Sequence, residues 1–440
     1  MNQELFSGTG MAIPNIMLPN RSVDLEKWAV VACDQYTSEP EYWNQAEAIV
    51  GACPSTLRII LPEIYLDKKD AEQRIENINR TMVRYIDENI LEDIGPAFVL
   101  VERTFPSGSV RKGLTVALDL ECYDYSSRSE SLIRPTEGTV EDRLPPRLKI
   151  RKDAPLESPH ILVLIDDPDK TVIEPLFEEK DRLEKLYDTP LMLNGGHVRG
   201  YKVSSEEHFR KIADAIKALG NARVQKEKYG QEGPTFLFAM GDGNHSLATA
   251  KAHWMSIKKN LTEKQAKDHP ARFALVELVN LHDPGIVFEP IHRVLFGVAP
   301  EKFIKDTLEY MEKEHPGSFF APEKPENSAE YHCIKIHGKD CSGYLCIKNP
   351  SYTLEYRTVQ EYLDFYLANN PSVKIDYIHG ENALKTLSNR PLNTGIEMES
   401  IGKFTLFKTV MKEGPLPRKS FSMGEAYEKR YYMECRKIKP

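Results

Sequence analysis

The stretch TFLFAMGDGNHSLATAKAHWMSIKK, residues 235–259, decides the fold. Its first six residues, 235–240, are almost wholly apolar, the pattern of a central strand covered on both faces. Gly241-Asp242-Gly243-Asn244-His245-Ser246 follows, and the sequence then continues as a helix. Gly241 and Gly243 permit backbone angles closed to other residues and let a ligand approach the main chain. A helix beginning near Ser246 offers unpaired N–H groups and the positive end of its dipole. Strand, glycine turn and helix start together form an anion or phosphate cradle. Gly241, Gly243, Asn244 and Ser246 are therefore the phosphate- or nucleotide-binding candidates. Asp242 would repel a phosphate on its own, so it reads as a general base or as a magnesium ligand bridging to phosphate oxygens. His245 reads as a donor to a phosphate oxygen or a proton-transfer group. The plain alternative is a tight turn capped by Asp242 or Asn244, with His245 merely packed.

Working outward, helices and strands alternate. Residues 68–91 place Ile75, Ile78, Met82, Ile86 and Ile90 near helical spacing. AFVLVERTF (97–105) and KGLTVALDL (112–120) read as paired strands, HILVLIDD (160–167) as another strand, and ARFALVELVNL (271–281) as a second apolar strand. Ser204 with Glu207 reads as a capping box opening a helix that buries Phe209, Ile212, Ala213, Ile216 and Leu219. Stretches 141–159 and 321–328 read as loops. After about residue 298 the pattern is helix, small antiparallel sheet, helix. The expected fold is α/β (or α+β): a mixed sheet with flanking helices in a larger lobe, 1–297, and a smaller α+β lobe, 298–440.

Composition limits the function. With 58 Lys+Arg against 66 Asp+Glu the net charge is −8, so a global basic footprint for nucleic acid is absent and no nucleic-acid partner is expected. No apolar run is long enough to span a membrane, and the N-terminus lacks the pattern of a signal peptide. Seven scattered cysteines fit reduced thiols in a cytoplasmic protein better than a disulfide framework. Cys333, Cys341 and Cys346, near His332 and His337, read as buried structural thiols before a zinc site. No P-loop, Gly-x-Ser-x-Gly elbow or His-Glu-x-x-His motif is present, and the turn lacks the third glycine of a dinucleotide fingerprint.

Two further clusters are candidate walls of the site. In 134–143, Arg134, Glu137, Thr139 and Arg143 are substrate-binding candidates, because arginine grips a phosphate or carboxylate in a bidentate way; a solvated polar loop is the bland reading. In 31–43, Asp34 and Tyr36 are candidates where a strand-like stretch gives way to a helix, and Thr37 or Ser38 would simply cap that helix.

Taken in order, VDLEKWAVVACDQYTSEPEYW, LIRPTEGTVEDRL, FAMGDGNHSLATA, LVNLHDPGIVFEPIHRVL and PLPRKSF resemble segments of the domain-of-unknown-function family 1015 of bacteria and archaea. The chain departs from that family's pattern where Asn244 replaces the first histidine of its Asp-Gly-His-His-Arg segment, Ser246 its arginine, and Thr136 a histidine. The segment is similar to one in the archaeal free-serine kinase, grouped with ParB partitioning proteins and sulfiredoxin. The resemblance implies a magnesium- and nucleotide-dependent (ATP or ADP) phosphotransferase acting on a small polar metabolite such as serine. Under it Asp242 takes the catalytic aspartate's place, and Glu39 and Glu41 are candidates by position for a second carboxylate. The alternatives are a phosphate-ester hydrolase at the same cradle and a non-catalytic, ParB-like nucleotide switch.

Overall fold

The computed structural model describes residues 2–230, 232–326 and 330–440, so the last two positions of the 321–328 stretch lie outside the described residues. The chain divides into two compact units, 1–287 together with 424–440, and 288–423. The division falls ten residues before the expected 297/298 boundary, and the last seventeen residues belong to the first unit.

In the first unit, nine strands among the described residues form one mixed sheet. In chain order they are β1 (Met11–Ala12), β2 (Phe98–Thr104), β3 (Val110–Asp119), β4 (Ile133–Arg134), β5 (Leu162–Ile165), β6 (Glu184–Leu191), β7 (Gly196–Val203), β8 (Phe238–Asp242) and β9 (Phe273–Asn280). Their order across the sheet is β4-β8-β5-β9-β3-β2-β7-β6, with β1 paired to β3. The β4–β8 and β5–β9 pairs are parallel; the other pairs of this sheet are antiparallel. The hairpin expected from 97–120 forms with Val99 opposite Thr115.

Each face of this sheet has its own core, which explains the uninterrupted apolar strands. Phe98, Leu100, Val116, Val276 and Met240 pack on one side with the helix α4 residues Phe209, Ile212 and Ile216. Val99, Val101 and Leu275 pack on the other with Trp28, Trp43, Ile78, Met82, Tyr431 and Tyr432. The helices of this unit include α1 (Pro40–Val50), α2 (Ala71–Asp87), α3 (Leu144–Lys152), α4 (Glu206–Leu219) and α5 (Asn244–Lys258).

Several local expectations shift. The cap of α4 is Ser205, not Ser204: its side chain accepts the His208 N–H. Neither Thr37 nor Ser38 caps α1, whose N-cap is Glu39 with no side-chain cap bond. The 141–159 stretch is not all loop. It holds α3, with prolines in its first turn, where the missing N–H costs no helical bond. β8 is one strand in from the sheet edge rather than central, yet Phe238, Ala239 and Met240 are fully buried because a helix layer covers them.

The second unit holds a seven-stranded antiparallel sheet among the described residues. Its strands are β10 (Phe288–Phe296), β11 (Phe319–Ala321), β12 (Tyr331–His337), β13 (Gly343–Lys348), β14 (Lys374–His379), β15 (Asn393–Glu397) and β16 (Phe421–Met423), with helices α6 (Pro300–Glu314) and α7 (Glu355–Asn369). Cys333 and Cys346 face each other across β12 and β13. His332 meets Thr358 and His337 meets Glu397. Among the described residues no group of three metal-ligating side chains gathers there.

Candidate functional site

The strand-turn-helix expected from 235–259 is built as follows. Pairing between β8 and β5 runs Met240 to Val163 and then Asp242 to Leu162, so Gly241 is skipped as a bulge. A bulge re-aims the next side chain, here Asp242, at the end of its strand. Gly243 then turns left-handed, φ +80°, and a Cβ there would lie 3.2 Å from the Ile161 Cα, which is tighter than ordinary contact. Its carbonyl accepts the Ser246 and Leu247 N–H groups and starts α5. Asp242 Oδ1 accepts the Gly243 N–H at 2.9 Å, and Oδ2 lies 3.2 Å from the ammonium of Lys429, which is 6% exposed. The Asn244 Oδ1 atom is buried without a hydrogen-bond partner.

Lys429 arrives from the far end of the chain. Arg430 O accepts the Ala32 N–H, and Tyr432 N–H donates to Val30 O, which lays 430–432 alongside 30–32. That pairing brings Asp34 into the same neighbourhood. Burial opposes the charge of Asp34. The nearby His160, the Gln35 side-chain hydrogen bond and the Lys429 ammonium together outweigh it and hold its carboxyl below the usual range. Glu63 joins through its N–H to Cys33 O, 2.8 Å, and accepts from Arg147 Nε at 3.0 Å. Its carboxyl is raised, first by burial and further by the Asp34 charge, with Arg147 opposing.

His160 lies between these segments. Its Nε2 is 2.8 Å from Ser246 Oγ and its Nδ1 is 2.8 Å from the Tyr432 hydroxyl. His245 takes a different partner: its Nε2 accepts the Val140 N–H at 3.3 Å, which requires that nitrogen to be bare. That bond and the Thr136 hydroxyl on Met240 O tie the 134–143 segment to the turn. The 31–43, 134–143 and 241–246 segments thus converge.

Not every candidate points into the site. Arg134 is corrected to a structural residue. It is buried, donates to the carbonyls of Ser131, Pro234 and Thr235, and its guanidinium stacks on Phe236, so it has little left for a substrate. Tyr36, at φ +51°, stacks on Tyr42 with ring centroids 3.7 Å apart. Burial among neighbouring tyrosines pushes its phenol up to about 12. The Thr139 hydroxyl is buried, Glu137 is half-buried, and Arg143 is exposed, its carbonyl accepting from Arg147. Glu39 and Glu41 are both exposed, on the start of α1. The carboxylates the fold brings beside Asp242's ammonium partner and beside Asp34 are Asp34 itself and Glu63.

Lys429, Glu63, Arg147, His160 and Tyr432 were not singled out by sequence. His160 had a weak signal, as a polar residue opening a strand. Lys429 had none, because its place depends on the return of the C-terminal segment.

These residues do not form a protein-held magnesium site. Asp242's two oxygens already face the Gly243 N–H and the Lys429 ammonium, and no set of three metal-ligating side chains occurs among the described residues. The ammonium fills the place where a cation beside Asp242 would sit. A groove of about 610 Å³ in the same unit, lined by Met17, Asp93, Phe273 and Lys437 among others, shares no residue with this constellation.

No curated protein matches the chain. Three solved structures are similar over most of their length. A variant of a free serine kinase in complex with ADP is 10% identical, covering 74% of this chain and 92% of its own, at TM-score 0.38. SbnI with a C-terminal truncation, from Staphylococcus aureus, is 12% identical over 70% and 82%, at 0.37. A conserved hypothetical protein from Pyrococcus furiosus is 10% identical over 74% and 95%, at 0.35. The family model described as protein of unknown function (DUF1015) matches residues 17–366, which takes in the 31–43, 134–143 and 241–246 segments, and the chain belongs to that family.

Proposed function

We propose that the chain binds the phosphates of a nucleotide at the 241–246 turn and transfers a phosphoryl group to the hydroxyl of a small polar metabolite such as serine. The observation that carries this reading is the buried Lys429 ammonium held 3.2 Å from Asp242 at the start of a helix. An ammonium and a helix N-terminus together neutralise phosphate charge where solvent is largely excluded. Phosphoryl transfer asks mainly for positioning and charge neutralisation, not for a strong base. Asp242 lies against the ammonium and the Asp34 charge is felt beside it, so either carboxylate orients the attacking hydroxyl and takes a hydrogen bond from it. The exposed Arg143, three residues past the Val140 whose N–H His245 accepts, would bind a substrate carboxylate or a distal phosphate. A magnesium ion arriving on the nucleotide's phosphates belongs to that substrate.

The test is a thermal-shift panel of ATP, ADP and AMP, with and without magnesium, plus serine and phosphoserine, on wild type, Asp242→Asn and Lys429→Met. A nucleotide at 100 times its Kd stabilises by about 2.7 kcal/mol. The expected result is a nucleotide shift in wild type that shrinks in Lys429→Met and changes in Asp242→Asn. No shift with any nucleotide would sink the reading.

A further inference from the structure

Ser246 sits in the first turn of α5, half-buried, with its Oγ 2.8 Å from Nε2 of His160, a ring only 8% exposed. The other ring nitrogen is 2.8 Å from the Tyr432 hydroxyl. That hydroxyl accepts the Cys33 N–H at 3.1 Å. Of the two His160 tautomers these distances allow, one makes the serine hydroxyl the donor. In it the Tyr432 oxygen takes the Cys33 N–H and the His160 Nδ1 proton. Nε2 is then bare and accepts the Ser246 hydroxyl proton. The Asp34 carboxylate is near enough to this ring for their charges to attract, which favours the imidazolium that forms when the proton moves. A hydroxyl, a base within reach and a third group orienting that base are the geometric mark of an activated nucleophile.

We propose that Ser246 is a nucleophile that carries the phosphoryl group during turnover, with His160 as its base and Tyr432 as a positioning residue. The substrates are phosphoric anhydrides or esters with a good leaving group. The proposal rests on the phosphate-binding reading of the turn and adds a covalent step to it.

In the first step Ser246 Oγ bonds to phosphorus and its proton passes to His160 Nε2. The bridging P–O bond breaks, and the leaving oxygen departs with the electron pair as nucleoside diphosphate or phenolate. In the second step an acceptor hydroxyl, or water, attacks the phosphorus and releases its own proton to solvent. The P–Oγ bond breaks, its electron pair returns to Oγ, and Oγ recovers the proton from His160. The outcome is double displacement rather than direct transfer.

The full chain is mixed separately with ATP·Mg and with p-nitrophenyl phosphate, quenched rapidly in acid, and weighed intact. Release of p-nitrophenolate is followed in parallel. The expected result is one added phosphoryl group, mapped to the Ser246 peptide and absent from Ser246→Ala. His160→Gln should form it at least ~100-fold more slowly, the scale of a lost general base. An unchanged thermal melt of Ser246→Ala separates lost chemistry from lost folding. No adduct with either donor overturns the proposal, as does p-nitrophenolate release that persists in Ser246→Ala. Nucleotide binding without any adduct overturns the nucleophile and leaves the cradle standing. An adduct from p-nitrophenyl phosphate without any nucleotide shift supports the nucleophile and replaces kinase chemistry with phosphate-ester hydrolysis.

Discussion

Lys429 holds two carboxylates near one point, with Asp242 Oδ2 at 3.2 Å and the Asp34 charge felt alongside. Removing the ammonium leaves both acids facing each other in a poorly solvated place. Lys429→Met should therefore destabilise the protein by about 1–3 kcal/mol, the scale of an orphaned buried polar group. Adding Asp242→Asn should recover part of that loss, and a double-mutant cycle in denaturant measures the coupling. In the second unit, burial first, and then the Glu399 charge, raise the Glu355 carboxyl to about 7 against an opposing bond from the Glu399 N–H. A carboxyl raised on folding binds its proton more tightly in the folded chain. The folded state is therefore favoured below the unfolded value, about 4.3, and loses that advantage as pH climbs through 7. Melting curves between those limits should slope downward with pH in wild type, and the slope should flatten in Glu355→Gln.

At the scale of the element, the 235–259 reading rests on Gly243. Its left-handed φ and its closeness to Ile161 both exclude a side chain. Gly243→Ala should cost about 1–2 kcal/mol for the backbone alone, plus whatever Ile161 must give. A fall in melting temperature with loss of ligand response would locate the damage in the turn. The strand, the turn and α5 were legible because apolar runs, glycines and helical spacing are local signals. The bulge at Gly241 was not, since it exists only relative to β5. Nor was α3 legible, because its prolines read as loop until a first helical turn is there to accept them.

At the scale of the molecule, the C-terminal segment completes the first unit. Arg430 gives Nε to Glu277 at 2.7 Å and Nη2 to Glu434 at 2.5 Å, and Arg436 gives Nε to Glu157 at 3.0 Å, all buried. Arg430→Ala should cost about 3–5 kcal/mol, because it leaves buried carboxylates uncompensated. Ending the chain after Met423 should abolish the cooperative unfolding of the first unit in near-ultraviolet circular dichroism. A cooperative transition surviving that truncation would show that the segment only decorates a core already complete.

The sequence by itself determined the α/β character, the strand, glycine turn and helix that carry Asp242, and a family resemblance carried by five ordered segments. These depend on residues adjacent in the chain, where backbone sterics and hydrophobic period act directly. Only the tertiary structure decided the rest of the site. Whether Arg134 faces a ligand or carbonyls, and whether Glu39 or Asp34 stands near Asp242, depends on which segments pack together. Lys429 and Tyr432 stand more than 180 residues after Asp242 in the chain, and His160 more than 80 before it. Their chemistry arises because pairing of 430–432 with 30–32 satisfies buried main-chain groups, and no local pattern records that partnership.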